Sequence, residues 1–62
     1  MRLATADLPA TISIYNMEGK LLMLIKTTDP ITEINMENYE SGMYILKITM
    51  PAQIMTKKIL KL

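Results

Sequence analysis

The chain contains no cysteine, no histidine and only two glycines. Each absence removes a class of chemistry. Without cysteine there is no disulfide and no thiolate metal site. Without histidine the commonest zinc ligand and the usual general base are gone. With both missing, the familiar nucleophilic triads cannot be assembled. Gly19 and Gly42 stand too far apart to cradle a phosphate, and no Gly-rich nucleotide loop occurs. Asn16, Asn35 and Asn38 all lack the Ser or Thr two positions on that glycosylation requires. Carboxylates are present, but Glu37 and Glu40 lie beside Asn38 in a polar stretch. A small sheet offers no deep cleft to retune a carboxyl pair for glycoside chemistry. Nothing in the spacing of Asp29, Glu33 and Glu37 forces their oxygens together around calcium. The expectation is a non-catalytic chain with no metal and no cofactor.

Size points the same way. A chain of 62 residues buries a modest share of its unfolded surface, and at this length apolar burial barely exceeds ordering entropy. Small domains usually compensate with disulfides, a metal or a partner chain. The first two are excluded, so association with another chain is the remaining device. Half the residues are apolar and the net charge is +1, which excludes a disordered tail and gives no reason to expect nucleic acid. Charge is unevenly distributed. Residues 27–42 carry Asp29, Glu33, Glu37 and Glu40 with no base, while residues 43–62 carry Lys47, Lys57, Lys58 and Lys61 with no acid. Two readings are open: solvated faces of one sheet, or a basic edge that meets an acidic partner. No apolar run approaches the roughly 20 residues of a membrane-spanning helix, and the N-terminus lacks the apolar stretch of a signal peptide.

Residues 1–9 read as a leader or the remnant of a preceding segment, closed by Pro9, with a β domain over 10–62. From Thr11 the pattern has period two, with Ile12 and Ile14 on one face and Ser13 on the other. Asn16, Gly19 and Lys20 mark a hairpin turn, with Gly19 supplying a positive φ. Residues 21–25 are apolar on both faces and too short for a helix between Gly19 and Pro30, so a strand covered on both sides is expected. Residues 31–36 alternate with Ile34 and Met36 inward. Residues 43–49 alternate most cleanly, with Tyr44, Leu46 and Ile48 on one face. The last segment fits neither period well; an unassisted helix that short is marginal, so a strand is expected. Seven methionines read mainly as gap-filling core residues, with Met43 and Met55 also placed to line a soft recognition surface. Strands near 11–16, 21–27, 31–36, 43–49 and 54–61 predict an all-β meander or sandwich.

Three segments taken in order carry a family resemblance. They are Ile12-Ser-Ile-Tyr-Asn-Met-Glu-Gly-Lys, then Ser41-Gly42-x-Tyr44, and then Thr56-Lys57-Lys58-Ile59-Leu60-Lys61 near the end of the chain. Each piece is weak alone. Their order over residues 10–62 resembles the C-terminal sorting domain of the type IX secretion system, in its type A form. The resemblance implies an immunoglobulin-like β-sandwich that directs a cargo protein through periplasm and outer membrane to the cell surface. The partners it implies are the outer-membrane secretion machinery and a surface sortase, and the residues read by the machinery would be Gly42, Tyr44, Lys58, Ile59, Leu60 and Lys61.

The family pattern places further strands ahead of Ile12, where this chain has little sequence. The expected sandwich is therefore N-terminally incomplete. Either the chain is a fragment, or a second copy completes the sheet by dimerisation. Each marked residue also has a plain structural reading. Gly42 would free the backbone at a loop exit, Tyr44 would be a core residue with its hydroxyl at the rim, and the lysines would protect an edge strand. The alternative function is accordingly a small structural or adhesive β-sandwich module of a surface protein.

Overall fold

A computed structural model describes all 62 residues. Six strands form: β1 (Arg2–Ala4), β2 (Ala10–Asn16), β3 (Leu21–Thr27), β4 (Ile31–Glu33), β5 (Gly42–Thr49) and β6 (Ile54–Lys61). There is no helix. The strands make two sheets, a four-stranded sheet in the order β3-β2-β5-β6 and a two-stranded sheet of β1 and β4. Every pairing is antiparallel.

The two central strands carry the core because their apolar positions alternate on one face. Ala10, Ile12 and Ile14 of β2 stand beside Leu46 and Ile48 of β5, all nearly or fully buried. Ile34, just past β4, closes over them, with Leu3 of β1 packed at the margin. Met50 is buried although it lies at the β5–β6 turn, where the thioether fills a gap at the sheet's end. The short sheet is held by its ladder and by bonds between Ile34 N–H and Met1 O (2.7 Å) and between Thr5 N–H and Pro30 O (2.7 Å). Arg2 and Glu33, cross-strand partners, also form an ion pair at 3.1 Å. Both side chains are about 70% exposed, so this pair contributes little.

Three expectations need correction. A sixth strand exists, since Arg2–Ala4 within the presumed leader pairs with β4. The pairing is long-range, and three residues carry no periodicity to announce it. β4 stops at Glu33 rather than at 36, with Ile34 still buried and Met36 half-buried beyond it. Finally, β3 is not covered on both sides. It is an edge strand, with Leu21 46% and Leu24 53% exposed. A register shift opposite Ile14 and Tyr15 explains its confusing pattern. At such a bulge two neighbouring residues oppose one on the partner strand, so Leu22 and Met23 both reach the core while Leu21 and Leu24 face out.

Candidate functional site

The residues marked by sequence come from three segments, and the sheet brings most of them to one end. The β2–β3 turn is closed by Asn16. Its side-chain Oδ1 accepts from the N–H groups of Glu18 (2.9 Å) and Lys20 (3.0 Å), and its carbonyl accepts from Gly19 N–H (3.0 Å). Gly19 has φ +89°, a conformation that costs an L side chain about 1–2 kcal/mol. From Asn16 a row runs across the sheet: Asn16 pairs with Tyr44, and Tyr44 pairs with Ile59. Gly42 pairs with Lys61 next to this row. Gly42 has φ +151° and open space where a Cβ would stand. The demand for glycine there is conformational and not steric.

The loop over residues 37–40 is bound onto this corner. Tyr44 donates its hydroxyl hydrogen to Glu40 O. Its ring lies 5.9 Å from that of Tyr39 at 40°, a favourable tilted aromatic geometry. Tyr39 in turn donates its hydroxyl to Leu22 O (3.2 Å) on β3. The Lys61 ammonium reaches across from β6, donating to the carbonyl of Tyr39 and to that of Glu37 (3.4 Å). As a charge protecting an edge strand, Lys61 would stand free in solvent. Instead its half-buried side chain fastens the loop to the last strand. Tyr39 is the participant that sequence left without a role. Its only sequence signal was a lone aromatic in a polar loop five residues before Tyr44.

Lys58 and Leu60 stand apart from this cluster. Pairing places Lys58 opposite Ile45 and Leu60 opposite Met43, on the face turned away from the core. Both are exposed, Leu60 at 61%. Ile59, between them, points inward and packs against the core. The marked residues therefore divide. Tyr44, Ile59 and Lys61 build the corner, whereas Lys58 and Leu60 present chemistry to the outside. Tyr15 and Ile45, cross-strand partners beside Lys58, make the neighbouring outer surface half-buried and largely apolar.

An open groove of about 850 Å³ runs between the end of β6 and the chain beyond β4. Ile34, Met36, Ile59 and Leu62 line it, with Glu37 and Lys61 among its polar residues. Nowhere do three Asp or Glu side chains gather as metal ligands. The site's resources are a basic, apolar strand face and a rigidly fastened corner, which suit recognition by contact.

Comparison with known proteins bears on what that recognition serves. A family model described as the secretion system C-terminal sorting domain matches residues 2–62. No curated protein and no solved structure matches the chain.

Proposed function

The chain belongs to the type IX secretion system C-terminal sorting domain family, and from that premise we propose that it is a non-catalytic sorting signal read through its last strand. The observation carrying this reading is the family match, which spans nearly the whole chain. The cargo it would serve is a secreted or cell-surface protein. That cargo passes through the periplasm and across the outer membrane, with the outer-membrane machinery and then a surface sortase as partners. The two-sheet, all-β arrangement is compatible with the immunoglobulin-like sandwich that the family resemblance implies.

The division of the marked residues sharpens the proposal. Lys58 and Leu60 are exposed on β6 and their side chains make no hydrogen bond within the chain, their backbones alone joining the β5 ladder, so they are the side chains open to an outside reader. Gly42, Tyr44, Ile59 and Lys61 present that strand in a fixed register. The test is a periplasmic reporter fused ahead of the domain, in cells with type IX secretion. Replacing Lys58 and Leu60 together by alanine should leave the fusion folded but held in the periplasm. Surface delivery equal to that of the unmodified domain would overturn the role assigned to these two residues and favour a structural or adhesive module.

A further inference from the structure

The four-stranded sheet has two edges, and they differ in chemistry. β6 carries the exposed Lys57 and Lys58 at its middle, the common protection of an edge against another strand. β3 has no such protection. Its sequence Leu-Leu-Met-Leu-Ile-Lys-Thr holds one charge and no proline. No strand pairs with its outer side, and Leu21 and Leu24 are about half exposed.

We propose that β3 pairs with β3 of a second copy of this chain, antiparallel about a two-fold axis at Leu24, making one continuous eight-stranded sheet. The register follows from complementarity. A two-fold axis at Leu24 sets Met23 opposite Ile25 of the second copy, Leu22 opposite Lys26 and Leu21 opposite Thr27. All seven residues of the strand are then used and no like charges meet. Centring on Met23 instead would set Lys20 opposite Lys26. The same operation applied to the middle of β6 puts Lys58 on Lys58, and like charges directly opposed are destabilising. Charge thus selects β3 over β6. A two-fold pairing of one strand with itself is also closed and does not propagate. The interface is narrow, a strand edge with its flanking leucines, so a weak dimer dissociating in the micromolar range is expected. The inference is independent of the sorting assignment, because it uses a different strand.

The absence of native cysteine gives a direct test. Directly opposed residues in an antiparallel pair lie about 4.5–5.5 Å apart at Cα, within the about 4.4–6.8 Å that a disulfide spans. Leu24→Cys should therefore form a covalent dimer under mild oxidation, and Leu60→Cys, somewhat more exposed on the other edge, should remain monomeric. In sedimentation equilibrium, Leu24→Lys should weaken dimerisation about tenfold or more by opposing two charges across the axis, with an unchanged circular dichroism spectrum. A wild-type monomer throughout the high-micromolar range would overturn the proposal. So would cross-linking of Leu24→Cys no faster than that of Leu60→Cys.

Discussion

Lys58 and Lys61 are the same amino acid three positions apart on one strand, yet they do different work. Lys61 donates to two loop carbonyls, bonds that typically contribute about 0.5–1.5 kcal/mol each and more when the donor is charged. Lys58 is exposed with no such partner. Urea denaturation should find Lys61→Met less stable by about 1–2 kcal/mol and Lys58→Met within about 0.5 kcal/mol of wild type. Equal losses would mean that the loop clasp is unimportant. Gly19 offers a second check. Nothing lies within 4 Å of a Cβ built there, so Gly19→Ala isolates the backbone cost of φ +89°. A loss of about 1–2 kcal/mol is expected, and a neutral result would show that the turn relaxes freely.

Among the strands, legibility in the sequence tracked how regular each pairing is. β5 alternates without interruption, and the faces read for Tyr44, Leu46 and Ile48 are the buried ones. In β2 the face read for Ile12 and Ile14 is buried too, although Ser13 on its other face is buried as well. β3 defeated the same reasoning because its bulge turns two successive residues inward, and period-two reading assumes an unbroken ladder. β1 was invisible because its partner lies 27 or more residues away, and no local pattern encodes that contact. β6 was recognised as a strand but its faces were unclear, since its inner face holds Met55, Lys57, Ile59 and Lys61. Only pairing with β5 assigns them. The marked residues were legible as motifs, but their division into corner and outer face needed that register. It leads to a paired expectation for adjacent aliphatics. Ile59 packs against the core and Leu60 is 61% exposed, so Ile59→Ala should cost about 1.5–3 kcal/mol and Leu60→Ala under about 0.5 kcal/mol. Chemical denaturation of the two variants decides it.

The assembled chain has a small core. Ten of 62 residues are buried, eight of them apolar. A fully buried Ile12 thus represents a large part of what holds the two sheets together. Removing most of its side chain typically costs about 2–5 kcal/mol, comparable with the lower end of total domain stability at about 5 kcal/mol. Ile12→Ala should be substantially unfolded by circular dichroism at room temperature. What the chain is known to share with other proteins is its membership of a secretion sorting family. Localisation is therefore the property to measure. A folded periplasmic reporter should be followed with and without residues 1–62 fused behind it, in cells with type IX secretion and in the same cells lacking the outer-membrane machinery. The fused reporter should reach the surface or medium only where the domain and the machinery are both present. A fused reporter that stays periplasmic in competent cells, or that leaves equally well without the machinery, would contradict the sorting function.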